Sequence, residues 1–271
     1  MTPLAHGALH SAWVEGAGFI TETSAVAEAE LRKIARDPTE LFSRSVQPIL
    51  WLLVFGQVFS RLHAVPTGAL SYEEFIAPGI LAQSVLFTAI FYGIAIIWER
   101  DLGIVHKMLV SPALRLSLVA GKAVAAGLRA LAPSLVIYAV ALALGLRLRF
   151  APLQALGVLA AVFLGSATFA TFSLIVACLV KTRERFMGIG QVITMPLFFA
   201  SNAIYPIEAM PAWLKAVSHG NPLTYLVDVL RALMLQGGES AFGLGTDFGV
   251  LLLVTAVLLA VASRLYPTVV L

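Results

Sequence analysis

Gly121-Lys122 is the step in this chain that comes nearest to phosphate chemistry, because a Gly-Lys pair closes the loop that cradles nucleotide phosphates. That loop also requires a glycine five positions before its second glycine and a hydroxyl residue directly after the lysine. Leu116 and Ala123 stand there instead, so the motif fails. No HExxH and no GxSxG occurs. His6 and His10 are four apart and could share a helix face, but no third metal ligand is near them. The single Cys178 lies in an apolar run, which excludes a disulfide framework and a cysteine-ligated metal. No catalytic residue, metal ligand or cofactor-binding motif can be assigned to the chain. Its chemistry must lie in how the charged residues are placed.

They are placed sparsely. Of 271 residues, 59% are hydrophobic and 12% charged, with a mean hydropathy of +0.91. Soluble domains carry about a quarter charged residues, so the pattern reads as an all-α polytopic membrane protein. Uncharged gaps of 16 to 31 residues separate Arg44 from Arg61, Glu74 from Glu99, Arg129 from Arg147, Arg149 from Lys181, Arg185 from Glu208 and Asp247 from Arg264. About 20 apolar residues cross a bilayer, and flanking arginines can snorkel to stretch the shorter runs. Six spans are expected, at about 45–62, 75–98, 117–146, 152–180, 186–204 and 247–264, within a transmembrane domain of 44–265. Both termini then lie on one side.

Lysine and arginine set the orientation. With the N-terminus cytoplasmic, the inner side holds Arg32, Lys33, Arg36, Arg44, Arg100, Lys107, Arg115, Lys122, Arg129, Lys181, Arg183, Arg185 and Arg264. The outer side holds Arg61, Arg147, Arg149, Lys215 and Arg231, with Arg147 and Arg149 the discordant pair. The same bias accounts for the net charge of +3 without a nucleic-acid partner. The first 30 residues carry Glu15, Glu22, Glu28 and Glu30, no Lys or Arg and no apolar core, so no signal peptide is expected.

Residues 1–21 read as a flexible tail. The segment 22–43 reads as an amphipathic connecting helix in the membrane interface, with Leu31, Ile34, Leu41 and Phe42 in a stripe and an i,i+4 pair of Glu28 with Arg32. Pro48, Pro78, Pro133 and Pro196 can kink four spans. Gly157, Ala161, Gly165, Ala170, Ser173 and Ala177 allow close packing, within the subunit or against another. Arg129 either snorkels from the inner edge of the third span or lines a path through it.

Two polar segments stand out. Residues 99–115 form a short cytoplasmic hairpin in which Leu102, Val105, Met108 and Leu109 recur at helical spacing before Ser111-Pro112 stops the helix. Such a helix, hung between two spans, is suited to being held by a partner outside the membrane. Residues 205–235 are broken by Tyr205-Pro206, Met210-Pro211 and Asn221-Pro222 into two short helices, Ala212–His219 and Leu223–Leu235. The uncharged gap there is too short to span, so a re-entrant or interfacial extracellular helical pair is expected, with Trp213 and Tyr225 at headgroup level. Asp228 and Arg231, three apart, are placed to pair.

Three stretches resemble the membrane subunit of type-2 ABC exporters, in the bacterial drug-export branch typified by daunorubicin-resistance permeases. The first is Gln47-Pro48, Trp51-Leu52 and Phe55-Gly56. The second is Glu99-Arg100-Asp101-Leu102-Gly103 through Met108-Leu109-Val110-Ser111-Pro112, with Arg115 and Gly121-Lys122. The third and most specific runs Phe198-Phe199-Ala200-Ser201, Tyr205-Pro206, Met210-Pro211-Ala212-Trp213-Leu214 and Asn221-Pro222-Leu223-Thr224-Tyr225 to Asp228 and Arg231. The resemblance covers about residues 25–265. Asn202 stands where the family often has Gly, and His106 where an acidic or polar residue is common. Leu235–Glu239 echoes the signature of ABC ATPases, but no nucleotide-binding domain surrounds it, and it reads as a loop.

The resemblance implies a non-catalytic permease that dimerises with itself or a sister subunit in the bacterial plasma membrane. Two copies of a separate ABC ATPase would bind ATP and Mg. Glu99, Arg100, Asp101, Gly103, Met108, Leu109, Ser111 and Pro112 would couple to that ATPase. Tyr205, Pro206, Met210, Pro211, Trp213, Asn221, Pro222, Tyr225, Asp228 and Arg231 would form an extracellular gate. Phe87, Phe91, Tyr92, Phe169, Phe172, Phe198 and Phe199 could line a substrate path or simply pack. The apolar spans suit an amphipathic drug-like or lipid-like cargo, with polysaccharide or glycolipid export as the alternative. A non-transporting ATPase-binding scaffold remains open. An autonomous carrier would want paired intramembrane ionisable residues, which are not visible.

Overall fold

A computed structural model describes residues 18–29, 32, 46–62, 67–68, 70–110, 114–180 and 182–270. His6, His10, Leu31, Lys33, Ile34, Arg36, Leu41, Phe42, Arg44, Ser111, Pro112 and Lys181, which carry expectations above, lie outside these residues. What is described is mainly helical, with turns and short connections between the helices and one isolated bridge, between Leu148 and Leu235.

Helix α1 covers 18–29 and so begins inside the segment expected to be a tail. Its Glu28 pairs with Arg32 as the i,i+4 spacing predicts. Helix α2 covers 46–62 and carries a π-helical stretch, Trp51–Gly56, just after Pro48. Then follow α3 (Tyr72–Asp101), α4 (Ile104–Val110), α5 (Arg115–Ala143), α6 (Pro152–Leu179), α7 (Arg183–Phe199), α8 (Ala212–Gly220), α9 (Pro222–Met234) and α10 (Leu244–Leu265). Short 3₁₀ turns, Ile207–Ala209 and Tyr266–Val270, precede α8 and follow α10.

The sequence writes most of these boundaries locally. Ser71 and Glu74 close a reciprocal capping box on α3. Pro152 opens α6, where its missing N–H costs nothing. Thr182 caps α7, and Asn221 caps α9 ahead of Pro222. Pro78, Pro133 and Pro196 sit inside α3, α5 and α7 without ending them.

Helices α3, α5, α6 and the segment Leu244–Val269 are long and apolar enough to cross a membrane. Helix α7 has 17 residues, about 26 Å at 1.5 Å per residue. It ends at Phe199 rather than at 204, because the chain turns at 200–205. Helix α5 likewise stops at Ala143, short of the expected 146, and Leu146 is drawn into the connection that bridges to Leu235.

Helix α6 is the hub. It is apolar on every side, as a span that packs on one face and meets lipid on the other must be, and it packs against α3, α5, α9 and α10. Its small residues serve these contacts within the chain. A Cβ at Gly165 would stand 2.6 Å from Leu226 on α9, and one at Gly157 would stand 2.6 Å from Leu233. The Ser173 hydroxyl bonds to the Ile90 carbonyl on α3. The larger apolar core joins α3, α5, α6 and α9, and a smaller one at the α4 end gathers Ile96, Ile97, Val105, Leu118, Leu174, Phe186 and Tyr266.

Candidate functional site

The α4 hairpin is braced along its buried face and at its base. Gly103, at φ +71°, makes the turn out of α3 that a residue with a Cβ would strain. Val105 is fully buried and Met108 and Leu109 are half-buried, so three of the four expected apolar positions face the bundle. Leu102 does not: it lies in the turn before the helix and is 67% exposed. Val110 at the far end is 79% exposed, and His106 and Lys107 between them are exposed too.

Glu99, Arg100 and Asp101 end α3, and each is engaged. Although the cytoplasmic hairpin at 99–115 predicts a solvated Glu99, its carboxylate is buried, 2.5 Å from the buried Lys122 ammonium on α5. Burying a lone charge is costly, so the pair is possible because each charge meets the other. Arg100 and Arg183 both bond Asp101, Arg183 at 2.7 Å, and the Arg183 guanidinium lies 3.4 Å above the Trp98 ring centre. Arg100 also reaches the Val180 carbonyl at 3.4 Å. The hairpin base thereby joins α3, α5 and the α6–α7 connection. Arg129, midway along α5, lies over the Tyr92 ring of α3 at 5.1 Å, within the bundle rather than at its edge.

Two contributors had no signal in the sequence. Glu22 on α1 accepts hydrogen bonds from the Leu114 amide (3.0 Å) and the Ser117 hydroxyl (2.5 Å), capping α5 from 92 residues away. Gly121 lets α1 lie directly on α5, because a Cβ there would stand 2.6 Å from Val26 Cβ. Gly121-Lys122 is thus a helix contact and an ion-pair partner. Arg183 is the other residue missed, since nothing local marks its meeting with Asp101.

At the opposite end, α8 and α9 form the expected broken pair. Tyr205 donates to the Phe199 carbonyl, and Pro206 leads into the 3₁₀ turn. Met210 is buried, Pro211 opens α8, and Trp213 is 68% exposed. Asn221 caps Leu223 and donates to the Leu197 carbonyl at 2.7 Å, pinning the α8–α9 corner to α7. Tyr225 donates to the His219 carbonyl and packs on Phe242.

Asp228 and Arg231 do not pair directly. Asp228 accepts from the Ser240 hydroxyl (2.9 Å) and the Phe242 amide (3.2 Å), and Ser240 also bonds the buried Asp247 at 2.8 Å. Arg231 donates to the Asn202 carbonyl at 2.7 Å and lies over the Phe75 ring. Burial pushes its guanidinium down to about 10, against the opposing pull of Asp228 and Glu208, so it stays charged at neutral pH. The loop at Leu235–Glu239 is a clasp: the Gln236 amide bonds the Arg147 carbonyl and its side chain the Leu148 carbonyl. Arg147 grips Glu74 with two hydrogen bonds of 2.8 and 3.0 Å, which holds its guanidinium above the usual range.

The aromatic residues do not converge. Phe87 and Phe91 stack on one another along α3. Phe198 meets Trp51 and Phe199. Phe169 and Phe172 line an apolar cavity of about 200 Å³ between α6, α7 and α10. Among the described residues, no group of three or more His, Cys, Asp and Glu side chains is arranged to hold a metal.

Residues 21–235 match the family model described as ABC-2 type transporter. The chain is 29% identical over 218 residues to the putative transport permease ycf38 of Cyanophora paradoxa, covering 79% of this chain and 74% of that one. It is 30% identical over 236 residues to the daunorubicin resistance ABC transporter permease protein DrrB1 of Streptomyces coeruleorubidus, covering 84% and 78%. A probable doxorubicin resistance ABC transporter permease protein, DrrC of Mycobacterium tuberculosis, is 26% identical over 223 residues, covering 81% and 79%. The match spans the braced hairpin, the α6 hub and the broken helical pair together, so the chain belongs to the ABC-2 type transporter permeases and is a membrane transport subunit rather than a catalyst.

Proposed function

We propose that this chain is the permease subunit of an ATP-driven exporter that moves an amphipathic drug-like or lipid-like compound out of the cytoplasm or inner leaflet. Two daunorubicin- and doxorubicin-resistance relatives support the cargo class and the outward direction. In this reading α2 and α7 complete six spans in a bacterial plasma membrane, with both termini cytoplasmic. A second permease copy or sister subunit completes the pathway, and two ATPase subunits bind ATP and Mg.

The observation that carries the reading is the α4 hairpin. It presents Leu102 and Val110 outward, 67% and 79% exposed, while its base is tied by charge pairs to α3, α5 and α7. A two-state bundle is biased only by something that binds its two states differently. A small apolar surface on a stiffly anchored lever lets an ATPase supply that bias. Glu99, Arg100, Asp101, Gly103, Met108 and Leu109 transmit the motion, with Ser111 and Pro112 at its end. The pieces joined at Asn221, Asp228 and Arg231, from Tyr205 to Tyr225, form the outer gate. Phe169 and Phe172 are the path aromatics best placed to meet cargo, because they line a cavity; Phe87, Phe91, Phe198 and Phe199 take packing roles in this reading.

The test is co-purification with a co-expressed ABC ATPase from the same genome, comparing wild type with Leu102→Glu and Val110→Glu. Gly103→Pro is a poorer choice, since proline cannot adopt the positive φ and would break the turn itself. Each exposed-face variant is expected to weaken ATPase capture about tenfold while leaving the permease folded. Capture unchanged in both variants overturns the hairpin as the docking point. Full capture with no export of any amphipathic compound makes the chain a scaffold.

A further inference from the structure

Arg147 and Arg149 are the two cations that violate the inside bias of the chain, and they have different explanations. Arg147 is answered by Glu74. Arg149 is tied through its backbone amide to the Met234 carbonyl at 2.8 Å. Its guanidinium makes one long contact, 3.4 Å to the Ala232 carbonyl, and no carboxylate among the described residues pairs with it. A guanidinium has five donors in a planar fork that fits a phosphate with two parallel bonds. Most of that capacity is unused here.

The half-buried Arg149 stands at an apolar groove between α5 and α6. Leu135, Tyr138, Phe150, Val158 and Val162 form its walls. The Ser134 hydroxyl, also in the wall, is already bonded to the Ala130 carbonyl. The groove holds about 220 Å³, less than the 300–1,000 Å³ typical of drug-sized sites, and its lining suits a single hydrocarbon chain. Tyr138 and Phe150 meet edge to face at 6.4 Å beside it. Aromatic rings and a cation at the end of two spans mark headgroup depth.

We propose that this groove is a binding site for one anionic phospholipid of the outer leaflet, with an acyl chain between α5 and α6 and the phosphate on Arg149. The preference for an anionic lipid follows from charge. The guanidinium has no acidic partner among the described residues, and the ammonium of a zwitterionic headgroup would face it unfavourably. The site requires that α5 and α6 cross a membrane, and its outer-leaflet side rests on the orientation proposed above; it stands apart from the ATPase and the cargo.

The test is native mass spectrometry of the purified full chain offered phosphatidylglycerol and phosphatidylethanolamine in equal amounts. Wild type is expected to retain phosphatidylglycerol about tenfold over phosphatidylethanolamine. Arg149→Gln should abolish the preference, and Ala155→Phe, which fills the groove from its exposed wall, should lower retention of both. Lys215→Gln, which removes an α8 cation outside the groove lining, should change neither. Equal retention of the two lipids by wild type overturns the site, as does an undiminished preference in Arg149→Gln. Wild-type retention in Ala155→Phe also overturns it, because the chain would then lie elsewhere.

Discussion

Lys122 on α5 and Glu99 on α3 form an ion pair at 2.5 Å, with both side chains closed off from solvent. It sits one turn behind the α4 hairpin and joins the two long helices on either side of that hairpin. Breaking a buried pair from one side leaves an uncompensated charge, at a cost of about 3–5 kcal/mol. Lys122→Met alone is expected to lower the thermal midpoint of the purified chain sharply, and Lys122→Met with Glu99→Gln to restore much of it. A single variant as stable as wild type would show that the pair is dispensable.

Glu22 predicts a long-range capping effect. Glu22→Ala removes the acceptor for the Leu114 amide and the Ser117 hydroxyl at the start of α5. Loss of a helix cap costs about 0.5–2 kcal/mol. Hydrogen exchange should accelerate at the 114–118 amides and leave the far end of α5 unchanged. Uniform acceleration along α5 would argue against a cap.

Two glycines should respond oppositely to alanine. A Cβ at Gly79 on α3 would overlap the Ala203 backbone carbonyl in the turn after α7, and backbone cannot swing aside. Gly79→Ala should destabilise by about 1–3 kcal/mol. Gly188 on α7 has open space around its Cβ position, so Gly188→Ala should be neutral or stabilise by about 0.5–1 kcal/mol through lower chain entropy. Thermal midpoints of the two variants check both signs.

Ser240 links Asp228 on α9 to Asp247 on α10. Ser240→Ala takes one hydrogen-bond partner from each carboxyl group and should cost about 1–3 kcal/mol, whereas Ser240→Thr keeps the hydroxyl. If the α9–α10 corner belongs to the gate, Ser240→Ala also changes export while leaving ATPase capture intact. Loss of capture in that variant would place its effect elsewhere.

The legible parts of the site were those written in short-range chemistry. The positive φ at Gly103 follows a polar turn between two helical patterns, and Asn221-Pro222 carries the cap and first position of α9. The Glu28–Arg32 pair is spaced for one helix face. The expected Asp228–Arg231 pair has equally good spacing and did not form, because Ser240, Phe242 and Asn202 offered closer partners from other segments. Leu102 shared the helical period of Val105 and Met108 but lies before the helix starts, so periodicity placed it on a face it does not occupy.

Composition and spacing alone establish a helical membrane protein, where its polar breaks fall, and which short segments a partner could handle. Those follow from hydrocarbon's intolerance of charge and from caps and prolines that act within a few residues. It takes the packed fold to make Gly121-Lys122 a helix contact and a buried ion pair, to bring Glu22 to the start of α5, and to give Arg147 and Arg149 different partners. A charge in a low-dielectric bundle takes whichever polar group packing brings near, and for these residues that group lies 23 to 95 positions away in the chain.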